Sequence, residues 1–454
     1  MAHEATGGGA SMSPPATNGS LAMALFFVVL LLPISFDLAG LRLSPLRLFM
    51  LLGALPLMIA VLQGRAGRLI ITDALVIGYA AWIVLSLAAN HGAARIPLGV
   101  ANASETVSAY FLGRILVRRS EDFRRIFRFG LISLIFLFPF ALYELFTGTI
   151  VIAKLFDPIF DVIFRGKSAH GRMGLERVYA VFGHPILFGL YCAVMVANFV
   201  VIFEGAIYQR ILAVSLAVAM TFMALSSAPL LAVVLQIMML LWWRLTKGAW
   251  WALAVLTVCA YVIVDLISNR SPLEVLFAYA TFNPRSGWMR MAIFEYGSRA
   301  ALNNPVFGIG INPFPRPNWV PDSVDNFWLL VAMRHGLPAL LILVAGIFAH
   351  FIAILRAQLP DPVLMRYRVG YLVSLVAVLF TLTTVHVWDA AYAFIIFLIG
   401  AGAWFYTSDH ASSEADTPPP PNGRPLRYTR FSDSPRSATP GKPDYRRAGA
   451  RQTQ

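Results

Sequence analysis

Charged residues are scarce in this chain: they make up 13% of its 454 residues, while 58% are hydrophobic. A soluble globular protein carries about 25% charged residues, so this chain has too little polar surface to cover a water-soluble particle. Uncharged apolar runs of about 18 residues or more recur along it, and each is long enough to cross the hydrocarbon core of a bilayer. The composition excludes an ordinary soluble protein and predicts a polytopic integral membrane protein.

Cysteine is almost absent, with two residues in the whole chain. Cys192 and Cys259 both lie in apolar runs without metal-ligand spacing, so we expect buried structural thiols. The sequence shows no other metal-ligand cluster, and we expect chemistry that needs no metal and no cofactor. The net charge of +13 is explained by basic cytoplasmic loops and a basic tail, so nucleic-acid binding is not expected.

The two ends of the chain differ from its apolar middle. Residues 1–20 contain no Lys or Arg and show no clear cleavage site, so a disordered N-terminus leading into an uncleaved first helix is expected. Residues 409–454 shift abruptly to Pro, Ser, Arg and Asp, a composition that cannot bury enough apolar surface to fold. This segment is predicted to be a disordered basic cytoplasmic tail.

Between these ends, the hydrophobic pattern predicts an all-α transmembrane domain over residues 21–408, with about 12 membrane-spanning helices. Their predicted ranges are 21–37, 45–63, 72–90, 97–117, 126–147, 180–203, 209–225, 228–243, 248–268, 327–355, 367–386 and 389–407. The tenth is expected to begin as an interfacial helix and to bend at Gly336-Leu337-Pro338, because proline removes a backbone donor.

The orientation in the membrane follows from the short connection after the fourth span. It is flanked by Arg114, Arg118, Arg119, Arg124, Arg125 and Arg128. Such a density of positive charge is typical of the cytoplasmic side. Counting from there places both termini in the cytoplasm and two long loops, about 148–179 and 269–326, outside. Both outer loops contain arginines against this trend, which calls for another explanation.

Four sequence motifs follow one another over about residues 170–345, all on the predicted outer side. In the first, Arg177 precedes Gly183-His184-Pro185, and the second is a short loop, Ser226-Ser227-Ala228-Pro229. In the third, Arg290 lies in a predicted helix over 287–303 that ends before Asn304-Pro305 and Gly308-Ile309-Gly310. In the fourth, Asp325-Asn326 opens the tenth span before Gly336-Leu337. No Lys-Ser/Thr follows the Gly-x-Gly turn, so a nucleotide-binding loop is rejected. Together the four motifs resemble the O-antigen ligase and polysaccharide polymerase family of bacterial inner-membrane glycosyltransferases.

The chain departs from this family at two positions. The resemblance implies an arginine in the short loop where this chain has Ala228, so one phosphate contact is missing or supplied elsewhere. It also implies a histidine, the proposed base of the ligases, where this chain has Asp325. A carboxylate can do the same job in a polymerase, and the polymerase is therefore favoured over the ligase.

The resemblance implies the reaction and its partners. An undecaprenyl-diphosphate-linked glycan is expected to be transferred to a sugar acceptor at the periplasmic face of the bilayer, which polymerises repeat units into exopolysaccharide or O-antigen. Ligation to lipid A-core is the alternative. A polysaccharide or lipid transporter and a scaffold of a secretion complex are rivals from other classes, although no internal repeat of the transporter kind is clear. Polysaccharide export proteins are candidate partners.

Residue roles follow from the chemistry that the resemblance implies. The leaving diphosphate must be held, and arginine forks match phosphate oxygens bidentately. Asp325 and Arg290 are expected to be catalytic. The expected diphosphate-binding residues are Arg177, Arg172 and Arg299, with Arg165 and Lys167 as alternatives, and the candidate sugar-stacking residues are Trp288, Trp319 and Trp328.

Each role has a plainer structural alternative. Asp325 is a favoured N-cap residue, and Asp322 competes with it for either role. Arg290 is alternatively paired with Glu295, and Arg177 is alternatively an interfacial anchor. The remaining alternatives are structural roles for His184 and His335 and an aromatic belt at the membrane interface for the tryptophans.

Overall fold

The computed structural model describes residues 17–38, 41–162, 171–269, 272, 275 and 284–408. Its helices, in chain order, are α1 (Thr17–Leu30), α2 (Pro45–Leu62), α3 (Ile71–His91), α4 (Ile96–Leu116), α5 (Ser120–Thr147), α6 (Val151–Phe156), α7 (Pro185–Ile202), α8 (Ile207–Met223), α9 (Ser227–Thr246), α10 (Trp250–Ile267), α11 (Pro284–Asn303), α12 (Phe327–Arg356), α13 (Pro362–Thr381), α14 (Asp389–Gly402) and α15 (Trp404–Thr407). Three short strands, β1 (Ile34–Leu38), β2 (Leu41–Leu43) and β3 (Asp161–Val162), form one antiparallel sheet in the order β2-β1-β3.

The predicted all-α membrane architecture is confirmed. Within the described ranges, nine helical stretches are long and apolar enough to cross a membrane, and one of them, Ile71–Leu116, contains both α3 and α4. Two shorter apolar helices, Gly19–Leu30 and Ile207–Met223, accompany them. The predicted disordered tail and residues 1–16 lie outside the described ranges.

Four predicted spans are wrong at an end: the fifth and the sixth, because α5 begins at Ser120 and α7 at Pro185, and also the first and the eleventh. The first span was expected over 21–37, but α1 runs from Thr17 to Leu30 and β1 begins at Ile34. Pro33 has no backbone N–H and disfavours helical geometry in the residue before it, so the helix stops there. The predicted range 367–386 is displaced as well, because α13 begins at Pro362 and ends at Thr381. Residues 382–388 therefore form a loop before α14.

The core is centred on α7, of which nearly every residue is buried. Cys192 lies in this core, as expected of a structural thiol, but Cys259 is exposed on α10, so the prediction for that residue is wrong. Every described residue of α10 is at least partly exposed. The thiol of Cys259 therefore faces the surroundings of α10 and not other side chains of the protein.

Two groups of ionisable side chains inside the bundle form ion pairs. Arg114 Nε lies 3.0 Å from Asp73 Oδ1, and both side chains are almost fully buried. Near the other end of the bundle, Arg47 lies 3.3 Å from both Glu105 and Asp389. Charges removed from water require such partners, because an isolated ion in an apolar medium is strongly disfavoured. These pairs fix helices α2, α3, α4 and α14 against one another.

Helix α12 is broken at Gly336, as the sequence predicted. Its φ of 82° and ψ of 171° are not helical. A Cβ atom at this position would overlap the carbonyl oxygen of Val306, so only glycine allows the loop to approach so closely. Leu337 N donates a hydrogen bond to Pro305 O at 2.7 Å. The loop of residues 304–310 is thereby locked to α12, which sets the position of α11.

Candidate functional site

Helix α11 packs against the first half of α12 and carries Arg290 to the neighbourhood of Asp325. The two helices share a small apolar cluster that is separate from the main core and includes Ile293, Ala300, Leu329 and Met333. A Cβ atom at Gly297 would meet Leu329 and Met333 at 2.8 Å, so this glycine sets the close spacing of the helices. The site is therefore built on two packed helices and on the segment of residues 304–326 that joins them.

Arg290 is a partly buried cation whose donors are not used by the fold. Its Nε and Nη1 atoms are buried and have no hydrogen-bond partner in the described part of the chain. Burial lowers the pKa of Arg290, the charge of Asp325 raises it, and the charge of Arg172 lowers it. A guanidinium group with buried free donors beside other cations is stabilised when an anion binds to it. Glu295, the alternative partner expected from the sequence, pairs with Arg299 instead.

Asp325 is not a helix cap. The cap of α12 is Asn326, whose side chain accepts a hydrogen bond from Leu329 N at 3.0 Å. The Asp325 carboxyl group has no hydrogen bond or ion pair to any described residue, and burial raises its pKa while the charge of Arg290 lowers it. Asp322, the alternative carboxylate, is exposed and pairs with Arg316. Of the two acids considered, only Asp325 is left without a structural partner.

Arg172 and Arg177 meet at the turn between α8 and α9. Arg172 Nη1 donates to Leu225 O at 2.9 Å, and Arg177 Nε donates to Ala224 O at 3.3 Å. Burial and the charge of Arg172 lower the pKa of Arg177 to about 10. Ala228, where the resemblance implies an arginine, is buried four residues after Ala224. Two arginines from another segment thus lie at the same turn.

A buried carboxylate holds this arginine segment in place. Glu144, near the end of α5, accepts hydrogen bonds from Tyr179 N at 2.8 Å and from Ala180 N at 2.9 Å. His184 then caps α7, because its Nδ1 accepts from Ile186 N at 3.2 Å. The structural role expected for His184 matches this contact, and burial and the nearby arginines lower its pKa to about 4.

The remaining predicted site residues lie elsewhere or serve the fold. Arg299 is exposed, and its ion pair with Glu295 and its contact with the Tyr296 ring are both within α11. Trp328 is tied to α13, since its Nε1 donates to Leu379 O at 3.3 Å. Arg165 and Lys167 lie outside the described residues.

Trp288 on α11 and Trp319 in the segment after it form an exposed aromatic pair. Their rings are stacked with centroids 5.0 Å apart, and about half of each side chain is exposed. Tyr296 adds an edge contact to Trp319 at 6.2 Å. Such a surface suits either a sugar ring or a membrane interface. Among the described residues, no group of three or more His, Cys, Asp or Glu is arranged to hold a metal ion.

Sequence reasoning missed the loop of residues 382–388, which packs against the start of α12. Phe327 N donates to the carbonyl oxygens of Leu382 and Val385 at 3.0 and 3.1 Å, and the Phe327 ring stacks on His386. This loop was hidden inside the predicted span 367–386. The signal that reveals it is Asp361-Pro362, where Asp361 caps α13 and Pro362 occupies its first position.

Comparison with known proteins agrees with the motifs. Residues 212–344 match a family model described as O-antigen ligase, and this range includes Arg290 and Asp325 but neither Arg172 nor Arg177. No curated protein matched the chain. The match supports a role in polysaccharide assembly by a multi-pass membrane protein. Over residues 212–344 the chain is similar to the O-antigen ligases, and the resemblance drawn from its motifs is confirmed.

Proposed function

We propose that this protein is a membrane glycosyltransferase that polymerises undecaprenyl-diphosphate-linked oligosaccharide repeat units. The reaction takes place at the periplasmic face of the bacterial inner membrane, and its product is exopolysaccharide or O-antigen. The O-antigen ligase match over residues 212–344 supports a polysaccharide-assembly role. Arg290 and Asp325 support a transfer from a donor with a phosphate leaving group.

The donor diphosphate is assigned to the arginines. Arg290 offers two buried donor atoms without protein partners, and a guanidinium fork binds phosphate oxygens bidentately. Arg172 and Arg177, in the stretch before α7, add positive charge at the turn between α8 and α9, close to where the family carries the arginine that Ala228 replaces. Three cations from two segments of the chain, α11 and the stretch before α7, suit a ligand with more than one phosphate.

The proposed transfer needs one base and one leaving group. The acceptor hydroxyl gives its proton to the Asp325 carboxylate, and its oxygen bonds to the anomeric carbon of the donor sugar. The bond from that carbon to the diphosphate oxygen breaks, and the electron pair leaves with the lipid diphosphate. Arg290 holds the growing charge, which is commonly the largest contribution to catalysis. A positioned base typically adds about 10²–10⁴ in rate.

The observation that carries this proposal is the relation between Arg290 and Asp325. Each charge acts on the pKa of the other, yet no ion pair or hydrogen bond joins the two described side chains. A half-buried cation and a half-buried acid that pair neither with each other nor with other described residues are expected where a ligand binds between them. Asp325 in place of the ligase histidine favours polymerisation, with ligation to lipid A-core as the alternative.

Purified protein in vesicles, supplied with radiolabelled lipid-diphosphate-linked oligosaccharide, tests the proposal. Polymer formed from this donor alone supports a polymerase, and product that appears only after lipid A-core is added identifies a ligase. Labelled donor that crosses the vesicle membrane without any new glycosidic bond would show a transporter and overturn the proposal. The Asp325→Asn variant serves as the inactive control.

A further inference from the structure

His386 differs from the other histidines in the described ranges because its ring nitrogens are unused. His91, His184, His335 and His350 each use a ring nitrogen in a hydrogen bond, with Ile311 N, Ile186 N, Ser86 Oγ, and the hydroxyls of Tyr371 and Tyr406 as partners. His386 makes no hydrogen bond to any described residue, and its Nδ1 is buried without a partner. A buried imidazole nitrogen left unpaired is unfavourable unless a ligand completes it.

The imidazole ring of His386 is stacked on two aromatic rings. It stacks on Phe327 with centroids 6.2 Å apart and an interplanar angle of 13°, and on Trp388 at 5.4 Å and 27°. Trp388 also contacts the ring of His184 at 6.1 Å. Stacking fixes the plane of the ring while leaving both nitrogens at its edge for hydrogen bonds. The side chain is therefore oriented without its polar atoms being consumed.

The loop that carries His386 is attached next to Asp325. Phe327, two residues after Asp325, donates its backbone N–H to Leu382 O and Val385 O, and its ring supports the imidazole. The arginines lie on other segments, namely Arg290 on α11 and Arg172 and Arg177 in the stretch before α7. The site thus has a cationic part and a part formed by Asp325 and the neutral loop.

We propose that His386 binds the acceptor, with its imidazole edge hydrogen-bonded to a sugar hydroxyl of the glycan that receives the transferred chain. A neutral imidazole has one donor and one acceptor, and a sugar hydroxyl can serve either of them. Burial and the nearby charge of Arg334 lower the pKa of His386 to about 3, so the ring stays neutral at physiological pH. A neutral side chain suits an uncharged sugar, whereas the donor diphosphate is bound by arginines. This assignment rests on the proposed function.

Equilibrium binding and transfer test this assignment separately. The probe is the repeat-unit oligosaccharide released from its lipid, titrated calorimetrically into the purified full-length protein. His386→Phe keeps the stacked ring and removes both nitrogens, and it should weaken binding of this oligosaccharide about 5- to 30-fold. His386→Gln keeps a polar edge and should recover part of the affinity. In transfer assays that supply the released oligosaccharide as the acceptor, His386→Phe should raise the KM for this acceptor and leave the KM for the lipid-linked donor unchanged.

His91→Phe is the matched control. It removes the hydrogen bond from Ile311 N and should lower the unfolding temperature without changing oligosaccharide binding. Equal binding by wild-type and His386→Phe protein would overturn the acceptor assignment. If His386→Phe fails to fold, His386→Ala takes its place, provided that it keeps a cooperative unfolding transition. Wild-type affinity of His386→Ala for the oligosaccharide would also overturn the acceptor assignment. Absence of transfer by the wild-type protein would instead reject the proposed function, so the two failures are distinct.

Discussion

Asn326, and not its neighbour Asp325, caps the helix that follows them. The Asn326 side chain accepts a hydrogen bond from Leu329 N at 3.0 Å, while the Asp325 carboxyl group takes no hydrogen bond from the described residues. The role of helix cap thus belongs to Asn326 and the proposed role of base to Asp325, although a single aspartate could have filled either role. This division makes a pair of conservative substitutions informative.

We predict that Asp325→Asn lowers the rate of transfer by about 10²–10⁴-fold, because a neutral amide cannot take the acceptor proton. The variant should remain folded and in the membrane, and lipid-linked donor should accumulate. Asn326→Ala should instead lower the free energy of unfolding by about 1 kcal/mol through loss of the cap and retain transfer. Transfer assays and thermal unfolding measure the two effects, and full-length polymer from Asp325→Asn would remove the base role from this residue.

Arg290 and Arg299 lie on the same helix and form a second matched pair. Arg290→Lys should lower kcat/KM for the donor about 10- to 100-fold, because it weakens charge-assisted hydrogen bonds to the diphosphate. Arg299→Lys should change it less than about fivefold, since an exposed ion pair contributes little. Steady-state kinetics with lipid-linked donor compares them. Equal effects would show that Arg290 has no special contact with the diphosphate.

Much of the fold follows from the sequence, because apolar runs and proline are strong local signals. The break at Gly336 and the end of α11 before Asn304-Pro305 were predicted in this way. The sequence alone could have predicted the partner of Glu295. Arg299 is four residues away and Arg290 is five, and side chains four residues apart lie next to each other on a helix.

Other features could not be predicted from local pattern. Asp and Asn are about equally good caps, so propensity cannot choose between Asp325 and Asn326. The stacking of His386 on Phe327 joins residues from distant parts of the chain, and no periodicity encodes it. The sequence leaves open whether the phosphate contact expected at Ala228 is missing or supplied elsewhere, because the positions of Arg172 and Arg177 at that turn depend on the buried Glu144. The site is therefore a product of tertiary packing.

The orientation in the membrane predicts which side each loop faces. A reporter fused near Asn303 should be active outside, and one fused near Ser120 should be active in the cytoplasm, because the arginines at 114–128 mark the inner side. Alkaline phosphatase and green fluorescent protein fusions measure this. Cytoplasmic fluorescence from the Asn303 fusion would place Arg290 on the wrong side for a periplasmic donor and would reject the proposed function.

The C-terminal segment is predicted to be dispensable for catalysis. Deleting residues 411–454 should leave membrane insertion and transfer largely unchanged, because the segment lacks apolar periodicity and follows the last span. Protein level and polymer length in membranes carrying the truncated chain are the measurements. Loss of polymer at a normal protein level would assign a function to the tail.

The pH dependence of transfer should report the titration of Asp325. Burial raises the pKa of this carboxyl group, and Arg290 only partly opposes the shift, so the acid limb should lie at higher pH than for an ordinary aspartate. A base works in its ionised form, so the rate should rise with pH through this pKa and then level off.

The stability of the fold should depend on pH with the opposite sign. Because the folded-state pKa of Asp325 is raised, the contribution of this residue to the free energy of unfolding is greatest at low pH and is lost as the pH rises through that pKa. Wild-type protein should therefore be less stable than Asp325→Asn near neutral pH, with the difference vanishing in acid. Transfer rates and unfolding temperatures measured between about pH 4 and 8 test both signs, and an acid limb that persists unchanged in the residual activity of Asp325→Asn would assign that limb to another group.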